Sequence, residues 1–274
     1  MNNKKKSYKQ KSKHNLIEES FIKVGVELGD TVLVHSDSTA AREITGLKWA
    51  DALNLLKDCF LNVLGKSGTL IVPTFNWDFC NGKPYVHEKT RSQVGMFTNN
   101  VLFDDRSIRS FHPIYSFAAI GPKKEEILNN ISKSSFGNDS VFSRLHKLNA
   151  KVVFFNISFE EFTFIHYVEQ CKGVSYRFLK NFTGEVTVDN KKYIDTYDFY
   201  VRYLDKNIER YFGKLSSKLF SINKMHKVFL NDKYPILLSR CDDVYNFAMQ
   251  GMESDPYYLL KYPPAQSVDG GKND

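Results

Sequence analysis

Two short, almost wholly apolar runs, each preceded by an amphipathic segment, restrict this chain more than any other feature. Thr31-Val32-Leu33-Val34-His35 and Thr69-Leu70-Ile71-Val72-Pro73 read as strands buried on both faces, because their apolar residues occupy both alternations of the pleat. Ahead of the first, Leu16, Ile17, Phe21 and Val24 fall at helical spacing, and Leu28-Gly29-Asp30 turns the chain into the strand. Ahead of the second, Trp49, Leu53, Leu56, Phe60 and Leu64 mark a helix closed by the turn Gly65-Lys66-Ser67-Gly68. The alternation continues, with strands predicted over 115–120 and 152–156 and helices over 123–130, 141–148 and 160–170. It predicts an α/β fold: a central mixed sheet flanked by helices on both faces.

From residue 175 to 202 the period changes from 3.6 to 2. Stretches 182–188 and 193–201 alternate apolar and polar, with Asp189-Asn190 between them, which predicts an antiparallel hairpin inserted in the C-terminal half. Helix signals return near residue 207 and over 242–249. With 42% apolar residues and only 8 prolines in 274, no cut point is visible, so residues 14–265 are expected to form one domain. The first 13 residues carry six lysines and no acid, and the last nine, 266–274, include Gly-Gly; both are expected to be flexible tails. The net charge of +7 falls to +1 without those six lysines, so the body has no extreme field. There is no apolar run of 18 residues and no signal-peptide core, which predicts a cytoplasmic protein without membrane insertion. Cys59, Cys80, Cys171 and Cys241 lie far apart, a spacing that predicts free thiols and no metal site.

Several familiar chemistries lose their sequence support. Gly65-Lys66-Ser67 resembles the end of a phosphate-binding loop, but the required first glycine falls on Phe60 and the motif precedes a strand. No G-x-S-x-G, G-x-G-x-x-G or H-E-x-x-H occurs.

Three places concentrate reactive side chains. On the helix predicted over 160–170, Phe162, His166 and Glu169 fall on one face, and the preceding strand puts its first turn at the carboxyl edge of the sheet. A carboxylate beside an imidazole fixes its tautomer and raises its basicity, as a general base needs; the same spacing also arises as an ordinary ion pair on a solvated face. Arg109-Ser110-Phe111-His112-Pro113-Ile114-Tyr115-Ser116 combines a cation, hydroxyls and an imidazole in a loop held by proline, suited to an anion or to polar contacts, or simply to a packed turn. Val34-His35-Ser36-Asp37-Ser38-Thr39 ends the first strand, where hydroxyls either line a ligand or cap the next segment.

Taken with their order, the segments GDTVLVHSDS, GTLIVPTF, RSFHPIYSFAAIG, SSFGNDSVFSRL and TFIHYVEQ resemble the aminoglycoside 3-N-acetyltransferase family across roughly residues 20 to 175. The resemblance implies that His166, in the T-x-x-H-x-x-E segment, is the base that activates an attacking amine, with Glu169 as its partner. It places acetyl-CoA or another acyl-CoA against the loops after the first two strands and the R-S-x-H-P segment, with His35, Ser36, Ser38, Thr74, Phe75, Arg109, Ser110, His112 and Ser116 as candidate contacts. The resemblance also implies direct transfer with both substrates bound together, and the absence of cysteine from these segments agrees with it. The family usually has adjacent serines after the first histidine; here Asp37 intervenes.

The acceptor implied is a small-molecule amino sugar. An aminoglycoside is a polycation, whereas this chain is basic and rich in aromatics from Tyr193 to Tyr203, which favours a nucleotide-linked amino sugar of surface polysaccharide over the antibiotic. Two readings of another class remain: a nucleic-acid-binding module, which no recognition signature supports, and a non-catalytic CoA-binding relative. The sequence leaves the oligomeric state open, a homodimer included.

Overall fold

The computed structural model describes the backbone of residues 2–264 and the side chains of residues 13–264. In chain order the first half comprises α1 (Asn2–Val24), β1 (Thr31–Ser36), α2 (Thr39–Thr45), α3 (Trp49–Leu64), β2 (Thr69–Pro73), β3 (Tyr85–Val86), α4 (Met96–Leu102), β4 (Ile108–Arg109), β5 (Phe117–Ile120), α5 (Lys124–Leu128), α6 (Val141–Lys147) and β6 (Lys151–Phe155). The second comprises α7 (Phe164–Lys172), β7 (Arg177–Val188), β8 (Lys191–Arg202), α8 (Gly213–Ser221), β9 (Met225–Leu230), β10 (Tyr234–Arg240) and α9 (Cys241–Ser254).

The main sheet has seven strands in the order β4-β5-β2-β1-β6-β10-β9. Its centre, β2-β1-β6, is parallel, with Leu33 beside both Ile71 and Val152; the strands added on either side are antiparallel. The two-residue alternation sorts the core. Val32, Val34, Leu70, Val72, Val153 and Phe155 face α1, α3 and α4, while Leu33, Ile71, Val152 and Phe154 face α6, α7, α8 and α9. The mixed sheet with helices on both faces is the predicted architecture.

The hairpin is also present and longer than its alternation suggests. β7 and β8 pair without interruption from Arg177 with Arg202 to Val188 with Lys191, and Asp189 and Asn190 take the positive φ values that a two-residue turn requires. β3 adds to β7 in parallel, making a second, three-stranded sheet.

The departures have physical causes. β9 and β10 escape prediction because β9 is an edge strand with only its end residues buried, and β10 carries Pro235; pairing with β6 recruits both. The helix expected near residue 207 begins at Gly213 instead. The helix expected over 160–170 is divided into a 3₁₀ turn, Phe159–Glu161, and α7, because Phe162 takes extended backbone and buries its ring among Phe154, Phe159 and Phe164. α1 carries helical backbone over residues 2–13 as well, where the sequence suggests a flexible arm of helix-tolerant lysines; the tail expected over 266–274 lies outside the described residues. Among the described residues no helix is long and apolar enough to cross a membrane.

α1 is held by Phe21, whose ring stacks on Phe60 of α3 at a centroid distance of 3.9 Å, both fully buried. Phe60→Ala should therefore cost about 3–5 kcal/mol of unfolding free energy by urea titration, while Ile22→Ala, at 59% exposure, stays within about 0.5 kcal/mol. Equal effects from the two would refute this docking of α1.

Candidate active site

α7 carries the candidate base, His166. Its break from the 3₁₀ turn puts His166 in the first helical turn, where the backbone dipole disfavours added positive charge, and Glu169 one turn on. The two side chains meet, with His166 Nδ1 2.7 Å from Glu169 Oε2. Gly173 then ends the helix in the left-handed conformation, φ 71°, so that the chain reverses within four residues and brings Tyr176 and Arg177 back against Glu169. Tyr176 donates its hydroxyl to Glu169 Oε1 at 2.9 Å. Arg177 Nε lies 2.7 Å from Oε2, paired by charge though off the line for a hydrogen bond, and its Nη2 stands 2.9 Å from His166 Nδ1.

These groups are buried, and burial decides their ionisation. Burial first, and then the Arg177 cation, push His166 down to about 4, outweighing the opposite pull of Glu169. The carboxylate thus orients the imidazole as expected without raising its basicity above the ordinary value. Burial alone would raise Glu169, but Arg177 and the hydrogen bonds from His166 and Tyr176 hold it below the usual carboxylate range. At neutral pH the pair is a neutral imidazole and a carboxylate. With Nδ1–H directed to Glu169, Nε2, which has no partner among the described residues, offers a free lone pair.

Two cavities meet at His166. One, of about 290 Å³, is lined by His35, Ser36 and Phe75 at the ends of β1 and β2, and by Thr163 and Glu161. The other, of about 730 Å³, opens against the hairpin, with Phe178, Phe182, Phe199, Lys180 and Arg202 among its walls. His166, Tyr115 and Arg210 line both. In the narrow cavity His35 Nε2 and Ser36 Oγ are buried without hydrogen-bond partners, and burial pushes His35 down to about 4, so it presents a neutral ring. Polar atoms so placed are ordinarily satisfied by a ligand or water.

The remaining predicted contacts do not line either cavity. All but Ser38 brace the loops that do. Arg109, expected to present a fork to an anion, spends its guanidinium on Ser116 Oγ and the carbonyl oxygens of His87, Thr90 and Thr74, at 2.6–3.2 Å. Thr74 and Ser116 join hydroxyls at 2.8 Å. Ser110 Oγ accepts from the Phe117 N–H, and His112 Nδ1 accepts from the N–H groups of Ile114 and Tyr115. Ser38 stands at the N-terminus of α2 without a side-chain capping bond, while Asp37 binds Thr39 and Asn156.

Sequence reasoning missed Arg177, Tyr176 and Arg210, and named Tyr115 within its loop without making it a contact. The first two lie in Val174-Ser175-Tyr176-Arg177, within five residues of the end of α7, a spacing whose only signal is the preceding Gly173; the other two reach the site through tertiary packing alone.

Comparison with known proteins bears on the fold and the family. The family model described as aminoglycoside 3-N-acetyltransferase matches residues 33–253. A relative from Bacillus subtilis (strain 168), the SPbeta prophage-derived aminoglycoside N(3')-acetyltransferase-like protein YokD, is 24% identical over 199 residues, covering 64% of this chain and 71% of its own. Among solved structures, aminoglycoside acetyltransferase AAC(3)-Xa superposes with a TM-score of 0.77 at 15% identity over 94% of this chain and 99% of its own. AAC-IIIb in binary complex with CoASH gives 0.73 at 14% identity, covering 87% and 95%. A histidine-to-alanine variant of AAC(3)-IVa in complex with a gentamicin gives 0.71 at 21% identity, covering 90% of each chain. The structural matches establish a common fold, and with the family model spanning most of its length, the chain belongs to the aminoglycoside 3-N-acetyltransferase family and is an N-acyltransferase.

Proposed function

We propose that this protein transfers the acetyl group of acetyl-CoA directly to an amine of an amino sugar, with His166 as general base and Glu169 as the residue that orients it. The observation that carries this reading is the position of His166, which alone with Tyr115 and Arg210 faces both cavities. Acetyl-CoA supplies the activated thioester carbonyl. The narrow cavity suits its acyl-bearing arm, since His35 Nε2 and Ser36 Oγ are buried polar atoms lacking partners and Phe75 offers an apolar wall. The chamber at the hairpin is left for the acceptor. His166 Nε2 takes the proton released as the acceptor nitrogen bonds to the carbonyl carbon, and returns it to the sulfur that departs with the C–S electron pair. Holding both reactants at one junction contributes much of the rate. No cysteine lines either cavity among the described residues, in keeping with transfer that bypasses an acyl-enzyme.

For the acceptor, kinship favours an aminoglycoside: similar structures hold a gentamicin, apramycin and sisomicin. These structures lend the nucleotide-linked amino sugar no support. One observation favours a negatively charged acceptor all the same. Among the described residues the chamber carries Arg177, Lys180, Arg202 and Arg210 against a single carboxylate, Asp205, and only Arg177 and Arg210 have carboxylate partners, Glu169 and Glu161. A polycation would meet repulsion there unless it binds across the rim.

CoA release should be measured with gentamicin, neutral glucosamine and a nucleotide-linked amino sugar as acceptors. His166→Ala is expected to lower turnover of the preferred acceptor about 10²–10⁴-fold; undiminished release would sink the assignment of the base. A clear preference for gentamicin would dismiss the anionic acceptor, and a preference for the nucleotide-linked sugar would support it. Because His166 is held at about 4, it is neutral at pH 7 and gains a proton only as the pH falls well below 6.5. The pH profile of kcat/KM should accordingly show no inflection from His166 between about pH 5.5 and 8, any rise there tracking the acceptor amine.

A further inference from the structure

Arg177 is a charged group at the centre of the site to which the transfer chemistry assigns no task. It projects from the first residue of β7, anchors Nη1 on the Tyr200 carbonyl at 3.1 Å across the hairpin, and faces both members of the His166–Glu169 pair. His166 Nδ1 has one in-plane direction in which to give or accept a hydrogen bond, yet Glu169 Oε2 at 2.7 Å and Arg177 Nη2 at 2.9 Å both approach it. Glu169, a carboxylate, can only accept, and Arg177 can only donate. The two neighbours therefore ask for opposite tautomers. The shorter contact and the fully buried anion favour Nδ1–H toward Glu169, which leaves Arg177 acting on the imidazole through charge.

The value of that charge follows from what a buried carboxylate does without a counter-ion. Glu169 is 1% exposed, and an isolated carboxylate at such a site costs several kcal/mol or takes up a proton. In a His–Glu pair the nearest remedy is an imidazolium, which places a second proton on Nε2 and abolishes the base. Other charged groups around His166 are less direct: Arg210 is paired with Glu161 at 3.0 Å, while Lys180, Arg202 and Asp205 lie along the chamber wall; Tyr115 adds only a neutral hydroxyl.

We propose that Arg177 is the positioning residue of this site: by supplying the counter-charge of Glu169, it keeps the buried His166–Glu169 pair from taking up a proton of its own, so that His166 stays neutral with Nε2 open to the acceptor amine. The proposal rests on His166 being the base. It also explains why the pair sits against the root of the hairpin, since the strand that walls the acceptor chamber also carries the ion that keeps the base ready.

The experiment compares Arg177→Met, which keeps bulk but removes charge, with Arg177→Lys. In the Met variant the acid limb of kcat/KM should move up by about one pH unit or more from its wild-type position near 4, with activity lost near pH 5 and regained toward pH 7, and the Lys variant should return the limb toward the wild-type position. A loss of equal size at every pH would mean a merely structural residue and overturn the proposal. Since the Met substitution strips a buried carboxylate of its counter-ion, the wild-type protein provides an independent reading: ¹⁵N-histidine NMR, with His166→Gln to assign the signal, should show a neutral Nδ1–H imidazole from pH 8 down to about pH 5.5. An imidazolium, or an Nε2–H tautomer, at pH 7 would refute it. The spectrum needs no turnover, so it separates failure of this inference from failure of the transferase assignment.

Discussion

The ion pair between Glu169 and Arg177 is the interaction around which the site is arranged. It joins the end of α7 to the first residue of β7, and with the Tyr176 hydroxyl it satisfies a carboxylate that burial would otherwise neutralise. Each of its consequences is local and physical. The carboxylate stays ionised, the imidazole is held in one orientation, and the hairpin is fixed at its root to the element that bears His166. The Gly173 turn permits all of this, because only a left-handed residue at the end of α7 returns the chain soon enough to bring Tyr176 and Arg177 into reach.

From that root the hairpin extends twelve residues in each strand and shapes the larger cavity, while the smaller one belongs to the main sheet. The division has a clear origin. Parallel strands β1 and β2 end together, and their last residues, with the loops that follow, leave a cleft at the carboxyl edge of the sheet, where open α/β sheets bind ligands. An inserted hairpin can change its side chains without disturbing that cleft. The two cavities are thereby shaped by different pieces of chain that meet at His166.

Much of the polar sequence around the cleft is framework. Arg109, Ser110, His112, Thr74 and Ser116 form a set of hydrogen bonds at the end of the β2–β5 ladder that holds Tyr115 and Phe75 in place. Such buried polar networks are costly unless complete. Their residue types look like ligand contacts in a sequence, since the same hydroxyls and guanidinium suit an anion and a carbonyl equally well.

The central architecture, the hairpin with its Asp189-Asn190 turn and the His166–Glu169 pair were legible in the sequence, because each depends on a period or a spacing within one segment. Alternation places Val32 and Leu33 on opposite faces, and three residues along a helix place His166 and Glu169 together. What tertiary structure alone decided is everything that depends on which segments meet. It recruited β9 and β10 to the sheet despite weak alternation and a proline, brought the Arg109 guanidinium onto carbonyl oxygens, and turned Arg177 onto the His166–Glu169 pair. Burial, a property of the assembled fold and not of any segment, then set the charge: it made His166 a neutral imidazole, where the sequence suggested one made more basic by its carboxylate.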